Sequence, residues 1–199
     1  MAADCILVID QGTHSTRAIV FNGRGQLLAT ARQPVTLTRI SHTDIEQSPN
    51  EIVDSMHNAI NSVLADPAIE PQRSVTAGLA TQRSSVVAWD RTTGKPLSPV
   101  LSWQDRRTAA AIAALAPHEP MVEEITGLRL SPHYGAGKLQ WLLQHSEPVR
   151  AAQAAGHLLM GPLASYLLFQ LLADRPALVD HANASRTLLW NLHSRDWDT

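Results

Sequence analysis

Two short apolar runs, Ile6-Leu7-Val8-Ile9 and Ala18-Ile19-Val20-Phe21, enclose a polar segment, residues 10–17, that carries one glycine. β-Branched residues on both sides of a turn-rich stretch predict a hairpin, here with an eight-residue tip, Asp10-Gln11-Gly12-Thr13-His14-Ser15-Thr16-Arg17. The turn Asn22-Gly23-Arg24-Gly25 and a third strand over 26–35 extend it into an antiparallel meander. A chain that opens this way is committed to a sheet before its first helix.

That helix is predicted after Ser48, an N-cap followed by Pro49 at the first helical position and Glu51 three residues on. Ile52, Val53, Met56, Ile60, Val63 and Leu64 share one face that packs on the sheet, and Asp66-Pro67 ends the pattern. Strands over 75–80, 85–89 and about 100–103 bring the sheet to about six. Beyond Arg106 alanine and leucine dominate, predicting helices over 107–115, 120–126, 138–145, 148–155 and 162–173, with Gly127 and Gly156 as C-terminal stops and Trp141, Leu142 and Leu143 in the core. Strands at 157–160 and 187–192 complete an α/β domain with a helical insertion at about 106–156.

Composition narrows the function classes. The 16 Lys plus Arg and 18 Asp plus Glu leave a net charge of -2 with no basic block, which argues against nucleic acid as a partner. The single Cys5 lies in an apolar strand, so no internal disulfide forms, the thiol is inert, and a reducing, cytoplasmic setting is expected. Asp4 stands where an export signal needs positive charge. The apolar stretch 158–173 is broken by Gly161-Pro162, Ser165 and Gln170, so it reads as a buried helix and not as a membrane span. The nine histidines show no His-x-x-x-His pair, and no Gly-x-Ser-x-Gly elbow is present, which removes zinc and serine-hydrolase readings. The last residues, Trp197-Asp198-Thr199, follow an apparent strand directly and read as an interruption.

Three segments could carry chemistry. In 10–17 the glycine lets backbone amides approach an anion, Thr13, Ser15 and Arg17 add donors for phosphate oxygens, and Asp10 could hold magnesium directly or through water. A decorated hairpin turn is the alternative, and the absence of a lysine excludes a Walker loop. Gln82-Arg83-Ser84-Ser85, at a strand end, offers a guanidinium and two hydroxyls suited to a polyol. Ser102-Trp103-Gln104-Asp105-Arg106-Arg107 offers an indole face beside polar edges, which matches a sugar, or equally a core tryptophan with Asp105 as a helix N-cap.

Asp10-Gln11-Gly12-Thr13, Arg17-Ala18-Ile19-Val20-Phe21, Gln82-Arg83, Gly94-Lys95-Pro96, Trp103-Gln104-Asp105-Arg106-Arg107-Thr108, Asn183-Ala184-Ser185-Arg186-Thr187 and Trp197-Asp198 stand in this order along nearly the whole chain. Together they closely resemble the amino-terminal part of the FGGY carbohydrate kinases, nearest to the glycerol kinase branch. The resemblance implies a ribonuclease-H-like, actin-like fold of which residues 1–199 are the first lobe. Two such lobes close on ATP and Mg2+ with a sugar or polyol in the cleft. It places Thr13, His14, Ser15 and Arg17 at the nucleotide phosphates and Asp10 at the magnesium. It likewise places Arg83, Ser84, Trp103 and His133 along the acceptor pocket.

Departures accompany it: Ser84 where glycerol kinases have glutamate, His133 where they have tyrosine in Pro132-His133-Tyr134, and His14 where threonine is usual. Losing a carboxylate acceptor disfavours glycerol and leaves a larger polyol or a ketose open. The family's catalytic aspartate and adenine pocket are expected beyond Thr199, in a second lobe, so this chain alone is expected to be inactive. An apolar face left by the missing lobe is expected to drive self-association. Two other readings are a stand-alone, non-catalytic carbohydrate- or nucleotide-binding module and an actin-like ATPase without a sugar site.

Overall fold

Alternation in the opening runs decides which face of the first sheet is covered. In the computed structural model, which describes residues 5–70 and 74–198, β1 (Cys5–Gln11) buries Cys5, Leu7, Ile9 and Gln11, and β2 (Ser15–Asn22) buries Thr16, Ala18 and Val20. Asp4 and Thr199, used above, lie outside the described residues. The two strands pair antiparallel with Asp10 opposite Arg17 and Gln11 opposite Thr16. The tip is therefore Gly12, Thr13 and His14, shorter than the eight residues expected, because backbone pairing continues under polar side chains as readily as under apolar ones. β3 (Leu27–Pro34) pairs with β2, and β6 (Ser74–Thr81) lies parallel to β1, giving the order β3-β2-β1-β6.

Helix α1 (Pro49–Leu64) carries the expected periodicity, with Ile52, Met56, Ala59 and Val63 fully covered and Val53, Ile60 and Leu64 half-buried at the flanks. Ser55 on the same face meets Thr16 of β2, hydroxyl to hydroxyl at 2.7 Å. Glu51 accepts from the backbone N–H and the hydroxyl of Thr36 at 2.9 and 2.8 Å.

The chain divides into two compact units, Met1–Leu37 with Asn50–Gln82, and Thr38–Pro49 with Arg83–Thr199. The second holds its own antiparallel sheet, built from β4 (Thr38–Arg39), β5 (Ile45–Gln47), β7 (Val86–Asp90), β8 (Val100–Leu101) and β9 (Leu158–Pro162) in the order β4-β5-β8-β7-β9. The expected single sheet of about six strands is thus two sheets. The break follows β6, where Ser84 adopts φ 65° and turns the chain out of the first ladder.

Helix α2 (Ala109–Ala113) is shorter than expected, followed by a 3-10 turn at Ala116–His118 and by α3 (Glu119–Thr126), which Gly127 ends at φ 70°. α4 (Gly135–His145) begins a turn earlier than expected, and α5 (Glu147–Ala154) follows. The apolar stretch 158–173 is β9 running into α6 (Leu163–Leu171), because Pro162 ends the strand in an extended conformation just before the helix. After α7 (His181–Ala184), the strand expected over 187–192 is interrupted by Leu188 at φ 63°, leaving β10 (Trp190–Asn191) paired with β11 (Asp196–Trp197). Val86, Ala88, Leu101, Leu142 and Val149 form a core cluster, and Trp89 meets Tyr166 and Phe169 at 5.4 and 5.9 Å between ring centroids. Trp141 lies at the margin of that cluster.

At Gly135 helix α4 runs close to a neighbouring backbone: its N–H donates to Arg186 O at 3.1 Å, and an added Cβ would stand 3.2 Å from Thr187 Cα. Gly135→Ala is expected to destabilise the protein by about 1–3 kcal/mol despite alanine's better helix propensity, because a backbone atom cannot swing aside. Thermal melts of the two proteins check this, and an unchanged or raised midpoint contradicts it.

Candidate functional site

In the first unit the predicted phosphate-binding residues share one hairpin. Gly12 donates to Ser15 O at 2.9 Å, and Val35 donates to His14 O at 3.0 Å, so the three-residue tip is tied at its base and side. Gln11, fully buried, donates to Gly12 O at 2.7 Å, and its backbone carbonyl accepts from Gln82 N at 2.9 Å. His14 is exposed, Thr13 and Ser15 are half-buried, and Arg17 is exposed and ion-paired with Asp10. An exposed pair of this kind is worth about 0–1 kcal/mol, so either partner exchanges readily for a phosphate or a cation.

Asp10 offers one carboxylate, and among the described residues no three His, Cys, Asp or Glu cluster as a metal cage. That fits magnesium, which is commonly held by one or two carboxylates with water and substrate phosphates filling the remaining positions.

In the second unit the predicted acceptor residues sit on three loops. Arg83 and Ser84 form the turn before β7, with Arg83 exposed and the buried Ser84 hydroxyl without a hydrogen-bond partner. Trp103 follows β8 and is 37% exposed, so it is not the core tryptophan of the alternative reading. Its N–H donates to the Ser85 hydroxyl at 3.0 Å. His133, in the loop before α4, meets the Trp103 ring edge-on at 5.8 Å and Tyr134 at 5.2 Å. Burial first, then the Lys138, Arg186 and Arg106 charges, pull the His133 pKa below its ordinary value, with a bond to the Trp103 backbone opposing. A neutral imidazole beside an indole edge suits a neutral hydroxyl ligand.

Beneath these loops lies a buried charge cluster that sequence reasoning did not assemble. Asp105, with no exposure, accepts from Ile45 N at 2.7 Å and Arg107 N at 3.1 Å, and Arg107 Nη2 bonds both Asp105 at 2.8 Å and Glu46 at 2.7 Å. Asp105 is therefore not a helix N-cap: α2 starts later, at Ala109, behind Thr108. The Arg107 guanidinium lies 4.5 Å over the Trp141 ring, which stacks on His145. Lys138, also without exposure, donates to Ser84 O at 2.9 Å and His133 O at 2.8 Å. One lysine in an apolar helix gives no sequence signal for such partners, which are backbone carbonyls, one in the loop just before α4 and one in the far-off turn before β7. An apolar cavity of about 500 Å3, lined by Trp89, Leu139, Leu143, Met160, Leu178 and Trp197 among others, lies elsewhere in this unit and includes none of the predicted residues.

Burial holds the Lys138 ammonium down to about 7, with Asp105 opposing and Arg107 adding to the shift. Its folded value lies below its ordinary value of 10.5, so between the two the unfolded chain binds a proton that the folded chain does not. Stability from this group rises as pH climbs through that window and is lowest beneath it. The midpoint difference between the wild type and Lys138→Met, measured from pH 7 to pH 9, is expected to move in favour of the wild type; a flat or reversed difference contradicts it. Asp105→Asn, which leaves Arg107 with Glu46 alone and takes the countercharge from Lys138, is expected to cost about 3–5 kcal/mol in the same melts.

Residues 5–199 match the FGGY family of carbohydrate kinases, N-terminal domain. The glycerol kinase of Paracidovorax citrulli is 40% identical over 195 residues, covering 97% of this chain and 38% of that protein. The crystal structure of Plasmodium falciparum glycerol kinase with ADP superposes with a TM-score of 0.90 at 25% identity, over 99% of this chain and 40% of that one. The gluconate kinase of Lactobacillus acidophilus shares the fold, with a TM-score of 0.84 at 18% identity over 99% of this chain and 38% of that one. The chain thus spans about two-fifths of the relatives it matches. An α/β chain matched from end to end in this way belongs to the FGGY family of carbohydrate kinases and corresponds to their N-terminal domain.

Proposed function

We propose that this chain is the acceptor-binding, amino-terminal lobe, with a helical insertion at about 106–156, of an ATP-dependent sugar or polyol kinase. The observation that carries the reading is the grouping of Trp103 and His133, ring against ring at 5.8 Å, in the unit that also holds the Arg83–Ser84 turn. An indole face packs against sugar C–H groups, a neutral imidazole and an unpartnered serine hydroxyl exchange hydrogen bonds with hydroxyls, and an exposed guanidinium adds a charged donor. Glycerol is disfavoured as acceptor, since no carboxylate stands at Ser84; a larger polyol or ketose suits the site better.

On the other unit, Thr13, His14, Ser15 and Arg17 would receive the phosphates of ATP, and Asp10 would hold Mg2+, which neutralises charge on the transferring phosphoryl group. The Asp10–Arg17 pair then opens, Arg17 turning to phosphate and Asp10 to the cation. Asp105, the carboxylate nearest Trp103 in sequence, is consumed by Arg107 and Ile45 N and takes no proton from an acceptor hydroxyl. The general base, worth about 10²–10⁴ in rate, is expected from a second lobe, in the part of the relatives' length outside the match. Among the described residues no helix is long and apolar enough to cross a membrane, and a cytoplasmic enzyme is the corresponding proposal.

Amide chemical-shift mapping on the 199-residue chain tests both halves. ATP with magnesium is expected to perturb residues 10–17, and xylitol or xylulose, more than glycerol, to perturb residues 83–85, 103 and 133, without turnover. Nucleotide shifts confined to other segments, or no response to any polyol, contradict the reading; turnover at the rate of a full-length kinase contradicts the missing base. Exposed Leu178, Leu189, Leu192 and Trp197 are expected to make the chain self-associate in sedimentation velocity, and a single monomer species at high concentration contradicts that.

A further inference from the structure

We propose that Lys138 is a positioning residue for the acceptor: one buried side-chain nitrogen that fixes the 83–85 turn and the 131–134 loop at a set spacing by donating to a carbonyl in each. The proposal rests on the functional reading above. Packing alone does not explain a lysine here, since a buried ammonium is costly unless paired and a methionine fills similar space. What the lysine adds is two N–H donors on one nitrogen, which reach Ser84 O at 2.9 Å and His133 O at 2.8 Å.

Both acceptors are backbone atoms, so the lysine holds the chain at the residues whose side chains are the candidate acceptor contacts. One of them, Ser84, is a non-glycine residue at φ 65°, a costly conformation that persists only where its surroundings impose it. The third loop is fixed to the same place, because the Trp103 N–H is bonded to the hydroxyl of Ser85, next to Ser84. Asp105, two residues beyond Trp103, supplies the countercharge to Lys138. Three loops separated by tens of residues in sequence are thereby referenced to one nitrogen.

Hydrogen exchange on the whole chain, wild type and Lys138→Met, tests this, with xylitol and xylulose as binding probes. In the wild type, the amides of Ser84, Ser85, His133 and Tyr134 are expected to open as one unit with a shared protection factor. In Lys138→Met both segments lose protection together while β1, β2 and α1 keep theirs, and probe affinity falls by about 10- to 100-fold, as expected for losing two buried hydrogen bonds. A purely structural lysine would instead lower protection throughout its unit, and that uniform loss overturns the proposal. Independent opening of the two segments in the wild type overturns it as well, and needs no variant should Lys138→Met not fold. If the wild type binds neither probe while the segments still open together, the functional reading falls and the tether stands.

Discussion

A carboxylate with no contact with water organises the second unit. Asp105 reaches the backbone of Ile45 from one side and Arg107 from the other, and Arg107 passes the connection on to Glu46. Segment 38–49 contributes only strands of two and three residues, too short to hold their place by ladder bonds alone. The ionic bridge to residues 105–107 supplies what those strands lack. Because Lys138 shares the same low-dielectric region, both cations depend on the carboxylates, and removing Asp105 leaves them worse off than before.

The opening meander and α1 were legible because one periodicity decided each: alternation for the strands, a 3.6-residue repeat for the helix. The apolar run 158–173 was legible too, because Gly161-Pro162 divides it: the strand expected at 157–160 and the helix expected over 162–173 are β9 and α6. Where the backbone departs from what residue type favours, reading from sequence went astray. Leu188 and Ser84 take left-handed conformations that nothing in their chemistry announces. The strands at 38–39 and 45–47 exist through long-range pairing and the Asp105 bridge, and local propensity carried no trace of either.

At the site, residues with distinctive chemistry in or beside loops, such as Trp103, Arg83 and Arg17, were legible as candidates from type and position. Their support was not. Lys138, Ser85 and Gln11 act on backbone atoms or on one another's backbone neighbours, and a backbone carbonyl is the same at every position in a sequence. Asp105 was legible as important and misread in role: an acidic residue before a helical run resembles a cap, and only the fold shows that its partners are Ile45 and Arg107.

The interleaving of the two units bears on how such a chain is made. The path leaves the first unit after Leu37, returns at Asn50 and leaves again after Gln82. On a ribosome, where chains emerge at about 5–20 residues per second, residues 38–49 appear well before β8, the strand that β5 must join. For several seconds that segment is a loop hanging from a first unit that can already complete its own sheet once β6 is out. Neither unit corresponds to a continuous stretch of gene, so no single cut in the reading frame parts them cleanly: a cut after Gln82 leaves 38–49 with the first unit and takes it from the second.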